Sequence, residues 1–171
     1  MVSIERDAKF CPYCGHSLGS VVVEGKQRSY CESCKRVIYD NPVPVVAGVI
    51  IKDNGVLLVK RGIEPRKDYW SLPSGFIDTM EDAETAMIRE MKEETNLDIK
   101  KARYITSIAQ RGMRYNSVLI IGFHITEYKG ELEPGDDAVE AKFFKMDNLP
   151  EFAFSKHYEL VKIVLKKEKL I

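Results

Sequence analysis

The chain has 171 residues, and its 26 basic and 26 acidic side chains give a formal net charge of zero. This length suits one domain of ordinary size with a small appendage. The balanced charge argues against nucleic acid or an anionic membrane as a bulk partner. No apolar run approaches the roughly 20 residues that span a bilayer, and the first residues lack a signal-peptide core. We therefore predict a cytoplasmic protein without membrane or nucleic-acid partners, and hold a homodimer as an open hypothesis.

All four cysteines lie near the N-terminus, in two Cys-x-x-Cys pairs. Cys11 and Cys14 form the first pair, Cys31 and Cys34 form the second, and sixteen residues separate them. This spacing fits a tetrahedral four-thiolate zinc site. The intervening residues 21 to 30 predict two short strands around a glycine turn. Two disulfides or a redox dithiol are the alternatives, although a cytoplasmic chain keeps its thiols reduced.

Two prolines within residues 41 to 44 mark a domain boundary, because proline breaks the hydrogen bonding of central strands and helices. We assign residues 1–40 to a small unit that resembles a zinc ribbon. A zinc ion there would be structural, since so short a segment cannot build an adequate hydrophobic core without a bound metal or a cross-link. Residues 41–171 form the main domain.

The main domain begins with β structure. A β-branched run at residues 45 to 51 predicts a buried strand, and Asp-Asn-Gly at 53 to 55 predicts a hairpin turn into a second strand. Arg61 closes this second strand and is a candidate contact for a phosphate of the substrate. Simple solvation of the strand end is the alternative.

The stretch from Gly75 to Leu97 predicts a helix with an unusual density of carboxylates. An apolar stripe at helical spacing would pack on the core, and its members are Ala83, Met87 and Met91. Helix-start chemistry is offered by Asp78, Thr79 and Glu81. Glu90, Glu93 and Glu94 lie beside the stripe, although like charges at i, i+4 cost a helix roughly 0.2–0.5 kcal/mol per pair. A hard divalent cation such as Mg²⁺ would reverse that cost, because it takes carboxylate oxygens as ligands.

An ordinary solvated helix face is the alternative, with Arg89 and Lys92 paired to the glutamates. The full spacing favours the metal site, because Gly75, five residues, Glu81, seven residues and then Arg-Glu-x-x-Glu-Glu resembles the Nudix box. Asn96 stands where a Nudix box usually has glycine. Glycine at that position would end the helix in a left-handed conformation, which asparagine adopts more readily than most residues.

Two strands are predicted after the helix, at residues 104 to 108 and 117 to 125. The loop between them is polar, cationic and aromatic at once. Arg111 and Arg114 are candidate contacts for a substrate phosphate, and Tyr115 is a candidate contact for a base. An exposed hairpin turn without a binding role is the alternative.

Glu140 begins a further predicted strand, and Asp137 lies in the acidic loop before it. In many Nudix proteins an acidic residue from this region approaches the metal cluster. The resemblance therefore makes Glu140 the first catalytic candidate and Asp137 the second, with a solvated acidic turn as the alternative. An amphipathic helix from His157 to about Lys167 is predicted to pack on the sheet, and we assign His157 no role.

The resemblance extends over nearly the whole chain, which is similar to zinc-ribbon Nudix hydrolases acting on NADH, FAD or ADP-ribose. It implies an α/β fold, the Nudix α/β/α sandwich with a mixed sheet between helices. It also implies Mg²⁺ or Mn²⁺ as catalytic cofactor and Zn²⁺ as structural metal. The implied ligands of the catalytic metal are the Gly75 carbonyl and the side chains of Glu90, Glu93 and Glu94. Arg89 would orient Glu90 or pair with Glu81.

The implied activity is hydrolysis of the diphosphate linkage of a nucleoside diphosphate derivative, of the FAD, ADP-ribose or NADH type. The products would be AMP and a second phosphomonoester. The general base would be Glu90, Glu93 or an acid on the later loop. The alternative is a module that senses a nucleotide or binds nucleic acid or protein through the zinc ribbon, with little catalysis.

Overall fold

The computed structural model describes residues 8–113 and 115–169, which form two β-sheets and two helices. The helices are α1 (Ala83–Thr95) and α2 (Ser155–Lys167). The strands are β1 (Gly19–Val23), β2 (Lys26–Cys31), β3 (Arg36–Ile38), β4 (Val43–Lys52), β5 (Gly55–Arg61), β6 (Trp70–Ser71), β7 (Ser74–Phe76), β8 (Asp98–Arg111), β9 (Ser117–Lys129) and β10 (Ala138–Lys145). Within the described ranges, neither helix has the length and apolar character needed to cross a membrane.

The first sheet contains β1, β2 and β3 in that order, and both pairings are antiparallel. The turn between β1 and β2 places Glu24 and Gly25 at positive φ, 50° and 74°. We call residues 8 to 40 the N-terminal ribbon. Two of its strands were predicted from the sequence. The third has three residues, too few for its alternation to be read.

The second sheet has the strand order β10-β5-β4-β9-β8, with β6 paired to β5 and β7 paired to β4. Strands β4 and β9 run parallel over residues 43 to 50 and 118 to 125, and the other pairings are antiparallel. The predicted mixed sheet is therefore confirmed. Because β7 pairs with the central strand β4, the segment that leads to α1 lies beside the middle of the sheet.

The two helices cover opposite faces of this sheet. Along β4, Val46 and Ile50 pack in one apolar cluster, whose α1 members are Ala86, Met87 and Met91. Ala47 and Val49 pack in the other cluster, whose α2 members are Leu160, Val161, Val164 and Leu165. This alternation follows from the two-residue period of a strand. The helix–sheet–helix sandwich predicted from the sequence is confirmed.

Both ends of α1 are capped by side-chain or backbone hydrogen bonds. The Asp82 carboxylate accepts a hydrogen bond of 2.8 Å from the Thr85 N–H, which satisfies one of the free donors of the first turn. The helix begins later than predicted, since the segment before it holds Asp78, Thr79 and Glu81. Asn96 ends the helix at φ 59°, and its N–H donates to the Lys92 carbonyl at 3.0 Å. The predicted left-handed end is confirmed.

Candidate metal and catalytic site

The acidic site lies where α1 packs against β7. Glu90 and Glu94 are only 8% and 5% exposed. The Ser74 N–H donates to Glu94 Oε2 at 2.8 Å. A Cβ atom built on Gly75 would overlap the Glu90 carboxylate. The strand can therefore approach the Glu90 carboxylate this closely because residue 75 is glycine.

Arg89 lies between the carboxylates and uses all five of its N–H donors. Two bonds go to Glu81, from Nε to Oε1 at 2.9 Å and from Nη2 to Oε2 at 2.8 Å. Nη1 donates to Glu90 Oε1 at 2.7 Å and to Glu93 Oε2 at 2.9 Å, and Nη2 donates to the Phe76 carbonyl at 2.9 Å. Both contacts expected of Arg89 are present. Lysine lacks this planar arrangement of donors and could not replace it.

Burial disfavours the charged form of two carboxylates of α1, those of Glu90 and Glu94. Burial raises the pKa of Glu94 to about 8, against the hydrogen bond from Ser74 N–H, which lowers it. Burial also raises the pKa of Glu90, although its hydrogen bond with Arg89 opposes this. Glu81, in contrast, has its pKa lowered to about 2 by its hydrogen bond with Arg89. A cation near Glu90 and Glu94 would replace the hydration that both have lost.

The acidic loop between β9 and β10 adds further negative charge to the site. The charge of Asp136 raises the pKa of Glu90, and the charge of Asp137 raises that of Glu94. The Gly62 N–H donates to the Asp137 carbonyl at 2.7 Å, which holds the loop against the end of β5. Asp137, the second candidate from the sequence, therefore lies near the cluster, and Asp136 is an additional acid that sequence reasoning missed.

Glu140 is not brought to the cluster. Its Oε1 pairs with Lys142 Nζ at 2.7 Å. Glu140 and Lys142 share a face of β10 with Phe144, which packs against the α2 cluster. A β-bulge between residues 138 and 140 sets this alternation. The side chain thus lies on the sheet face opposite α1, and the nearest later acids come from the acidic loop instead.

Arg61, a predicted phosphate contact, lies close enough to the acidic helix for its charge to act on Glu94. Its positive charge lowers the pKa of Glu94. Its Nε donates to the Pro65 carbonyl at 2.9 Å, and its guanidinium lies 5.2 Å from the centre of the Phe154 ring. Arg61 is therefore held at the end of β5 with its charge directed toward the site.

The loop between β8 and β9 carries the other predicted substrate contacts. Arg111 is the last residue of β8 and pairs with Ser117, and Arg114 lies outside the described residues. The Tyr115 ring meets Phe76 edge to face, with 5.5 Å between ring centres. Phe76 and Tyr115 are 47% and 43% exposed, which is high for large apolar rings. Sequence reasoning missed Phe76, although its position directly after Gly75 was a signal that could have found it.

The second candidate metal site is the cysteine cluster of the N-terminal ribbon. The four sulfur atoms lie within 4.8 Å of one another, and the Sγ–Sγ distances are 3.9 Å for Cys11–Cys34 and 3.5 Å for Cys14–Cys31. A zinc tetrahedron with Zn–S bonds of about 2.3 Å has edges of about 3.8 Å. A hydrogen bond from the His16 backbone lowers the pKa of Cys14 to about 6, whereas the hydrogen bond with Cys14 raises the pKa of Cys34 to about 12. A bound zinc ion would favour the thiolate at all four positions. None of the four cysteines is in a disulfide.

The two sites differ in how tightly their ligand atoms are gathered. Among residues 8–113 and 115–169, the cysteine cluster alone brings three or more such atoms within 4.8 Å of one another. The oxygens of α1 are spread around the guanidinium of Arg89. A cation at α1 would therefore share the carboxylates of Glu90 and Glu93 with Arg89, which binds one oxygen of each.

The mixed sheet between two helices, with acidic side chains gathered on α1, defines an α/β/α protein whose site is built on one helix. Residues 42–162 match the model of the NUDIX domain. The chain belongs to the Nudix hydrolase family.

Two relatives and one solved structure show how far this similarity extends. An ADP-ribose pyrophosphatase of Methanocaldococcus jannaschii is 41% identical over 127 residues, which cover 73% of this chain and 74% of that protein. The NAD-capped RNA hydrolase NudC of Pseudomonas fluorescens is 28% identical over 148 residues, 85% of this chain, and the match spans about half of NudC, 51%. The crystal structure of a NUDIX hydrolase from Nitrosomonas europaea has a TM-score of 0.68 at 24% identity, covering 94% of this chain and 93% of that one. This last match shows a shared fold.

Proposed function

We propose that this chain hydrolyses the diphosphate linkage of an ADP-ribose or NAD-type nucleotide to AMP and a second phosphomonoester. The observation that carries the proposal is the pair of buried carboxylates, Glu90 and Glu94, packed against Gly75. The names of the two relatives support this substrate class. FAD stays in the panel of candidates because its diphosphate offers the same scissile bond.

The carboxylates fit a hard divalent cation such as Mg²⁺ or Mn²⁺, whose preferred ligands are oxygens. Glu90 and Glu93 each give one oxygen to Arg89, and Glu94 gives one to the Ser74 N–H. The second oxygen of each makes no hydrogen bond to a described residue. These three side chains and the Gly75 carbonyl are the proposed ligands. When bound, the cation neutralises charge on the diphosphate and makes a water nucleophilic near neutral pH.

The chain's own residues would then position the reacting groups. Water attacks one phosphorus, the bridging P–O bond breaks, and the departing phosphomonoester keeps the bridging oxygen. The proton of the water passes to a carboxylate, for which Glu93, Asp136 and Asp137 are our candidates beside Glu90. Arg89 would orient the carboxylates and would not bind the substrate, because all five of its donors already bond to the protein.

Recognition of the nucleotide would come from outside the acidic helix. We assign the base or a second ring of the substrate to Phe76 and Tyr115, whose half-exposed rings contact each other edge to face. We assign phosphate contacts to Arg61, Arg111 and Arg114. Zinc in the N-terminal ribbon is proposed as structural, because its four thiolate ligands would leave no open position.

A hydrolysis screen tests this proposal. The purified chain is incubated with ADP-ribose, NADH, FAD, diadenosine polyphosphates and nucleoside triphosphates, with Mg²⁺ or Mn²⁺, and AMP is measured by chromatography. Glu94→Gln keeps the size of the side chain but removes its charge, so turnover should fall by orders of magnitude. Glu84→Gln, on the exposed first turn of the same helix, is the matched control and should keep full activity. Near-normal turnover in Glu94→Gln would overturn the site assignment, and no AMP from any dinucleotide would overturn the function.

A further inference from the structure

One hydrogen bond joins the N-terminal ribbon to the loop that carries Tyr115. The Asn116 Nδ2 donates to Asp40 Oδ2 at 2.7 Å, across 76 positions of sequence. Asp40 lies two residues beyond the last residue of β3. The acceptor is a carboxylate oxygen, and hydrogen bonds to carboxylates are stronger than those between neutral groups. The ribbon and the loop between β8 and β9 therefore have a direct polar contact.

The ribbon end of this bond is held in place by its own sheet. Ile38 pairs with Ser29 on β2. The Arg28 guanidinium lies 5.5 Å from the centre of the Tyr39 ring, within the range of a cation–π contact. The two residues before Asp40 thus both contact β2, one through its backbone and one through its side chain, which restricts where Asp40 presents its carboxylate.

The loop end of the bond is a tight turn. The Gly112 N–H donates to the Asn116 carbonyl at 3.4 Å. A Cβ atom on Gly112 would lie 2.5 Å from the Tyr115 carbonyl oxygen, so glycine is needed for the turn to close. Tyr115 precedes Asn116 directly, and its ring contacts Phe76. Any force that fixes Asn116 therefore also restricts the position of the Tyr115 ring.

We propose that Asp40 is a positioning residue, through which the N-terminal ribbon holds Asn116 and fixes Tyr115 beside Phe76 for the nucleotide. The inference rests on the proposed function, since it assigns Tyr115 to substrate recognition. It gives the ribbon a role in affinity for the substrate beyond its own folding. Because Asp40 contacts neither the acidic helix nor the scissile bond, its loss should act on binding and leave the chemical step unchanged.

A double-mutant cycle measures this coupling. Asp40→Ala, Asn116→Ala and the double variant are compared with the wild type for KM and kcat on ADP-ribose, or on the best substrate of the screen. Each single change should raise KM about three- to tenfold, the range expected for one partly exposed hydrogen bond, with kcat within twofold. The double variant should be no worse than either single variant, since both remove the same bond. Additive effects would overturn the inference.

A swap of the two side chains supplies the rescue. Asn116→Asp alone places two carboxylates together and should raise KM most, whereas Asp40→Asn added to it restores a donor and an acceptor across the same contact. The swapped chain should recover a KM within about threefold of the wild type. Asn148→Asp, an exposed change of the same chemistry in the turn after β10, is the control and should leave KM unaltered. A swap that fails to rescue would contradict the inference.

Hydrogen exchange gives a readout that does not depend on activity. In Asn116→Asp, backbone amides of residues 111–113 and 115–117 should exchange several-fold faster than in the wild type, and the swap should slow them again. If no dinucleotide is hydrolysed but exchange follows this pattern, the proposed function fails while the coupling stands. If hydrolysis is normal and exchange does not change, the coupling fails while the function stands.

Discussion

The buried histidine at the start of α2 should make the stability of the fold depend on pH. His157 is 3% exposed, and its Nδ1 accepts a hydrogen bond of 3.2 Å from the Leu72 N–H. Burial, with a smaller contribution from the charge of Arg61, lowers the pKa of His157 to about 3. The ring therefore stays neutral in the folded chain over the whole range in which a free histidine titrates.

The sign and size of the effect follow from proton linkage. Below about pH 6.5 the unfolded chain binds a proton at His157, whereas the folded chain does not until about pH 3. The contribution of the neutral His157 ring to stability is thus fully present above about pH 6.5 and is lost as the pH falls toward 3. At pH 5 the lowered pKa costs about 2 kcal/mol relative to pH 7.5, because each unit of pKa difference is worth about 1.36 kcal/mol.

His157→Asn isolates this effect, since the asparagine oxygen can accept from the Leu72 N–H without titrating in this range. Urea unfolding at pH 7.5 and pH 5 gives the free energy of unfolding of both chains. The variant should be less stable at pH 7.5, because it lacks the packed ring, and should recover about 2 kcal/mol relative to the wild type at pH 5. A difference between the two chains that does not change with pH would refute the reasoning.

Three further predictions address the two sites. Gly75→Ala should displace the Glu90 carboxylate while the fold persists, so activity should fall at least about tenfold with an unchanged circular dichroism spectrum; full activity would contradict the packing described. The purified chain should contain one zinc per molecule by elemental analysis with its thiols free of disulfides, and a zinc-free chain with paired cysteines would disprove the four-thiolate site. Phe76→Ala should raise KM about three- to tenfold, the value of one lost ring contact, with a smaller change in kcat, and an unchanged KM would remove Phe76 from recognition.

The central strands and α1 could be predicted from the sequence because each carries its own local signal. The β-branched run of β4 ends at a turn whose Asp53 and Asn54 adopt positive φ, 49° and 59°, as such a turn requires. The spacing of the Nudix box predicted both where α1 lies in the chain and that the chain belongs to the Nudix family. By contrast, β6 and β7 have two and three residues, too few for a periodic pattern, and they form because longer strands lie beside them.

The site was only partly predictable, because its remaining members meet through contacts distant in sequence. Alternation alone could not show that Glu140 faces away, since the bulge that sets its face depends on pairing with β5. The approach of Asp136 to Glu90 and that of Phe76 to Tyr115 likewise depend on how the loops fold back. The division at residue 40, the catalytic roles, the homodimer and the cytoplasmic location stay predictions.

The most direct test of the central claim is hydrolysis of ADP-ribose in ¹⁸O-labelled water, followed by mass spectrometry of the products. Direct attack of water on one phosphorus predicts AMP and ribose 5-phosphate in equal amounts, with label on a phosphate of one product only. Glu94→Gln should yield neither product at a comparable rate, whereas Glu84→Gln should yield both. Release of adenosine or of inorganic phosphate, or a phosphorylated chain, would contradict the proposed reaction.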